Sequence, residues 1–131
     1  MKIKVVGSRE EITNLSKEDI AVHLAFRPSN KDVFNLVQAC PNIKSIEIPS
    51  SYHKTMSKSI QMYFDMAGIQ LLKGDVWGHR GNLNKYYEVS DSITDKIDQL
   101  KKDGKTDDEI VREVTQSSKL SEGMVRFMLK E

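Results

Sequence analysis

A chain of 131 residues with 38% apolar and 30% charged side chains can bury one real core, which excludes wholesale disorder. Its net charge of +1 excludes a general electrostatic pull toward nucleic acid or acidic membranes. No apolar run approaches the ~20 residues that span a bilayer, residues 1–7 are too short and alternating for a signal peptide, and the single Cys40 excludes an internal disulfide. A reducing compartment, the cytoplasm, is the expected setting.

Taken in chain order, short runs rich in β-branched residues predict strands at 3–6, 21–26, 43–48 and 69–72. Between them the apolar spacing is helical. Ser8 with Glu11 three residues on has the form of a capping box and predicts a first helix carrying Ile12 and Leu15. A second helix starts near Ser29 or Asn30, carries Val33, Phe34, Leu36 and Val37, and stops before Pro41. A third, from about Met56, carries Ile60, Tyr63 and Phe64 and ends at Gly68; its methionines, Met56, Met62 and Met66, are expected in the core. Strand–helix alternation of this kind implies parallel strands and right-handed crossovers. Leu24, Ile48 and Leu71 recur at 23–24 residues, and Ala39-Cys40-Pro41-Asn42-Ile43-Lys44-Ser45-Ile46-Glu47-Ile48 resembles one cysteine-containing leucine-rich repeat. A small open α/β sheet fits equally well.

The character changes after Trp77. Residues 81–91 are polar, glycine-bearing and aromatic, and read as a linker between a body at 1–80 and a tail at 92–131. The tail predicts three helices: one over 92–102 ended by Gly104, one opened by the Thr106/Glu109 capping box, and one capped by Ser121. The expected fold is therefore α/β: a small, mostly parallel sheet of about four strands in strand–helix repeats, followed by a three-helix, helix-turn-helix-like tail.

The stretches His23-Leu24-Ala25-Phe26-Arg27-Pro28-Ser29-Asn30, Ile48-Pro49-Ser50-Ser51-Tyr52, Ser57-Lys58-Ser59-Ile60-Gln61-Met62 and Gly74-Asp75-Val76-Trp77-Gly78-His79-Arg80 resemble an uncharacterised archaeal family, known chiefly from methanogens, that carries only a domain-of-unknown-function label. The resemblance covers nearly the full length. It implies an archaeal cytoplasmic protein and supplies no catalytic residues.

Parallel α/β sheets bind ligands outside the carboxyl ends of their strands, where helix N-termini favour anions. In this chain those ends carry Arg9, then Arg27, then Ser50, Ser51, His53 and Lys54, and finally His79 and Arg80. These eight residues are the candidate anion site, with Arg27 and Arg80 as the bidentate groups. Hydroxyl groups at helix starts and surface cations are also ordinary features, so the same residues are compatible with no site at all.

The tail resembles a module in which a third helix reads the major groove, and Ser121, Arg126 and Lys130 are the residues it offers for that role. Against it, about four extra residues around 115–118 lengthen the link between the last two helices. Residues 91–131 also carry eight Lys or Arg against ten Asp or Glu, whereas duplex binding relies on neutralising phosphates. Phe127 lies where a reader would show a polar group. Met124 and Phe127 are instead expected to find cover in a second copy, through the last helix. His53 and His79 lack metal-ligand spacing, His23 reads as a satisfied, partly buried histidine, and Cys40 as packing. The leading function is a non-enzymatic regulatory or binding protein without cofactor or metal. The alternatives are a DNA-binding regulator and an enzyme acting on a phosphorylated small molecule.

Overall fold

The computed structural model describes residues 2–74, 86–118 and 120–130. Four parallel strands, β1 (Lys2–Val6), β2 (Ala21–Leu24), β3 (Ser45–Ile48) and β4 (Gln70–Lys73), lie side by side in chain order. A fifth, β5 (Tyr86–Glu88), lies within the stretch read as a linker and runs antiparallel on the outer side of β1. The spatial order is β4-β3-β2-β1-β5.

Sequential order has a direct consequence. When every crossover is right-handed and steps the same way, all the connecting segments land on one face of the sheet. Here that face is covered by a 3-10 turn (Arg9–Asn14), α1 (Asn30–Ala39) and α3 (Lys58–Ala67), with the four-residue α2 (Ser50–His53) between β3 and α3. Ile12, Val33, Leu36, Ile60 and Phe64 from these segments pack on Val6, Val22, Leu24, Ile46 and Ile48 of the strands. Among the described residues the opposite face receives no crossover. It is covered by α4 (Asp91–Lys102), α5 (Asp107–Ser117) and α6 (Glu122–Lys130), through Ile97, Leu100, Ile110, Val114, Met124 and Phe127 against Ile3, Ala21 and Leu72. The result is three layers with the sheet in the middle.

The punctuation is mostly as expected. Ser29 caps α1 in a reciprocal box with Asp32, Ser57 caps α3, Gly68 ends α3 at φ 72°, and Thr106 with Glu109 forms the box that opens α5. Three local expectations are corrected. The Ser8/Glu11 pattern opens a 3-10 turn, not an α-helix: Ser8 makes no side-chain cap, and the Glu11 carboxylate takes the Gly7 N–H instead. Met62 and Met66 are not core, being 63% and 86% exposed on the outer side of α3. The extra residues 115–117 are absorbed as a further turn of α5, where Thr115 and Ser117 hydroxyls bond back to the carbonyls of Val111 and Glu113.

Candidate functional site

Strand alternation decides which side chains meet the helical wall. Val22, Ile46 and Leu71 stand in one row on the crossover face, so their neighbours His23, Glu47 and Leu72 stand in one row on the other. Residues 21, 45 and 70 make a second row there: Ala21, Ser45 and Gln70. This face therefore carries polar groups under helices that are otherwise apolar. His23 and Glu47 are 3% and 1% exposed, and burial of such groups requires partners.

The partners are specific. The His23 Nδ1 atom is 2.8 Å from Glu47 Oε1, and the other carboxylate oxygen, Oε2, accepts the Ser121 hydroxyl. Ser121 Oγ also accepts the Met124 N–H at 3.1 Å, the N-cap bond of α6. One carboxylate thus ties two strands to the start of the last helix. The approach is close because position 74 is glycine at φ 147°; a β-carbon there would overlap the Ser121 β-carbon and sit 2.9 Å from its hydroxyl. Ser45 Oγ, fully buried on the same face, makes no hydrogen bond among the described residues. In this chain of contacts the carboxylate lies between serine and histidine, so the histidine does not touch the hydroxyl as a base in a nucleophilic triad would.

The strand-end edge is a separate region. Parallel pairing brings the ends of β1 to β4 to one side of the sheet, so Arg9, Arg27 and the 50–54 segment do emerge along a shared edge. Arg9 pairs with the Asp32 carboxylate at 3.3 Å and lines a cleft of about 430 Å³ with Ser29, Lys31 and Asn35. Arg27, Ser50, Ser51 and Lys54 are exposed, and His53 is half-buried. His53 lines a different cleft, of about 450 Å³, beside β4, whose lining also includes Lys130. The order of the parallel strands never reverses, so they form no switch-point crevice of the kind that gathers ligands in doubly wound sheets. Trp77, His79 and Arg80 lie outside the described residues.

The nucleic-acid candidates are placed as follows. Ser121 is turned onto Glu47. Arg126 is held by Asp108 at 2.7 Å and Glu122 at 3.1 Å, and Lys130 is exposed at the end of α6. Met124 and Phe127, at 1% and 0% exposure, find their cover on the chain's own sheet, because the face without crossovers offers it. Cys40 is packing: burial, and secondarily the nearby Asp19 charge, push its thiol up to about 11, and it donates to the Ser16 carbonyl.

Glu47 escaped the reading of the sequence, although a signal was present. His23 and Glu47 stand 24 residues apart, one strand-to-strand repeat, so in-register parallel pairing makes them neighbours. Polar side chains at alternate positions of an apolar strand mark the face that awaits a polar partner.

A sequential parallel sheet with one face closed by its own crossovers and the other by a three-helix unit defines the class. The chain belongs to a family of unknown function, DUF1699: residues 2–85 match its N-terminal domain and residues 92–130 its C-terminal domain, which is described as a helix-turn-helix domain. No curated protein and no solved structure is significantly similar to it. Among the described residues no helix is long and apolar enough to cross a membrane.

Proposed function

We propose that this chain is a non-enzymatic binding protein of the regulatory kind, in an archaeal cytoplasm as the sequence resemblance implies. In this reading the helical unit serves as the second wall of the sheet, and a small anionic ligand is met along the strand-end edge by Arg9, Arg27, Ser50, Ser51, His53, Lys54, His79 and Arg80. The observation that carries the reading is the seating of α6. Its Met124 and Phe127 are spent on the sheet, and the outward stripe left over is Glu122, Arg126 and Lys130, with Arg126 already bound to two carboxylates. A helix so placed offers little to a phosphate backbone. The shared edge of four parallel strand ends supports the ligand half of the reading.

A second reading, a DNA-binding regulator, is favoured by the family description of the C-terminal domain. One titration separates the two. With a labelled random duplex at about 50 mM salt, where phosphate contacts are strongest, the first reading expects no saturable change in anisotropy. Binding that weakens steeply with salt and is lost in Arg126→Glu would establish the second. For the ligand, a thermal-shift screen with phosphate and nucleotides should raise the melting temperature of the wild type and not of Arg27→Ala; no response to any anion removes the site.

A further inference from the structure

Among the described residues β4 has one strand neighbour. The N–H groups of Gln70 and Gly74 bond to the β3-side carbonyls of Lys44 and Ile48, both at 2.9 Å. Backbone groups alternate along a strand, so Leu71 and Lys73 turn their N–H and C=O away from β3, toward the edge of the sheet. The cleft of about 450 Å³ beside this edge is lined by Gln70 and Leu71 of the strand with Ile69 just before it, His53 of α2, Gln61 and Asp65 of α3, and Lys130 of α6. An edge with outward backbone groups and room beside it is a template for another strand.

We propose that the occupant is a second copy of this chain, paired β4 to β4 in antiparallel fashion about a two-fold axis through Leu71, which makes one continuous sheet across the dimer. Directly opposed residues of an antiparallel pair point to the same face. A two-fold axis perpendicular to the sheet must therefore pass through a residue and not between two. Leu71 is the central residue of the edge whose N–H and C=O both face outward, so it exchanges two hydrogen bonds with its own copy.

Charge selects a second copy over an unrelated strand. α3 runs back along β4 and is joined to it through Gly68. At ~1.5 Å per helical residue and ~3.3 Å per strand residue, the middle of α3, near Met62, lies level with Leu71. Gln61 and Asp65 line the edge cleft, and Lys58 continues their stripe at helical spacing. This stripe has a base at one end, an amide in the middle and an acid at the other end. A two-fold axis at the level of Leu71 sets each Asp65 opposite the other copy's Lys58. The α3 stripe is self-complementary under this axis, and this is the condition an isologous interface has to meet.

The test is sedimentation equilibrium on the full chain, with circular dichroism to confirm folding. The wild type is expected to dimerise at concentrations on the order of 100 μM or below. Asp65→Lys sets like charges opposite each other twice and should weaken the dimer by about tenfold or more, while the double variant Lys58→Asp with Asp65→Lys restores it. Leu71→Pro removes an N–H that the β3 ladder does not use, and should give a folded monomer. A wild type that stays monomeric overturns the proposal. A dimer indifferent to Asp65→Lys and Leu71→Pro, or one broken by Asp65→Lys and not restored by the double variant, overturns it equally.

Discussion

The two faces of the sheet are covered by different means. On the crossover face the strands contribute Val6, Val22, Leu24, Ile46 and Ile48, and the covering segments are the connections between those strands. They land there because the chain has to return to start the next strand. On the other face the row reads Val5, His23, Glu47 and Leu72, and its cover comes from elements added at the end of the chain. An aliphatic face accepts any apolar surface of suitable shape, so a cover not placed by connectivity needs an address. Glu47 is that address. Only a hydroxyl at the start of α6 completes its carboxylate, and this sets both where the helix begins and which way it runs. A buried polar pair is a poor source of net stability, since well-packed apolar groups usually do as well, but it penalises every docking that leaves it incomplete.

The largest effect that could break this comparison is expected from Glu47→Ala. The substitution strands His23 and the Ser121 hydroxyl in the interior, and breaking such a contact from one side costs about 3–5 kcal/mol. Urea denaturation should show that loss. The matched deletion on the crossover face, Ile46→Ala, costs a comparable ~2–5 kcal/mol through a cavity. The two faces separate in the rescue: His23→Leu with Glu47→Leu should recover much of the Glu47→Ala loss, because His23 is no longer stranded and only the half-buried Ser121 hydroxyl has lost its acceptor. A double variant as unstable as Glu47→Ala would mean that the pair contributes through packing alone and that the faces do not differ in kind.

A smaller effect is expected at Gly74, where the address is read. Alanine at a φ of 147° is strained, by about 1–3 kcal/mol, and its β-carbon meets Ser121. In a Ser121→Gly background the collision disappears and only the backbone strain remains. Gly74→Ala should therefore cost less there than in the wild type. Equal costs in the two backgrounds would show that α6 can shift away from the strand end, and so that its seat is loose.

Much of this arrangement was legible in the sequence, and the part that was not has a physical cause. The four parallel strands and five of the helices announce themselves through apolar spacing and caps such as Ser29, Gly68, Thr106 and Ser121, which are local signals. The Ser8/Glu11 pattern misled because its two halves do not pair: Ser8 makes no side-chain cap and the Glu11 carboxylate takes the Gly7 N–H, which leaves a 3-10 turn. Met62 and Met66 misled because helical spacing identifies a face but not whether anything covers it. The seat of α6 is a contact over 74 residues of chain, between Glu47 and Ser121, and no local pattern records it. Phe127 did carry a warning: a large aromatic on the outward face of a would-be reader needs cover, and the sheet supplies it.

The smallest effect should come from a cap that touches neither face. Thr106 opens α5 by accepting the Glu109 N–H at 3.2 Å, while the Glu109 carboxylate accepts the Thr106 N–H in return. Thr106→Ala should cost about 1 kcal/mol, as caps of this type do, and Ser29→Ala in the other helical layer about the same. The Thr106 cap also has a pH signature. The Thr106 N–H, and after it the Thr106 hydroxyl, hold the Glu109 carboxyl below its ordinary value of 4.5. A carboxyl with a depressed folded-state pKa contributes stability that is present above its ordinary value and is lost as the pH falls through the folded one. The gap between wild type and Thr106→Ala should therefore be steady from neutral pH down to about 5 and shrink below that. Denaturation midpoints at pH 7, 5 and 3 measure it. A gap that stays the same down to pH 3 would show that the cap acts through its hydroxyl alone, without the returning carboxylate.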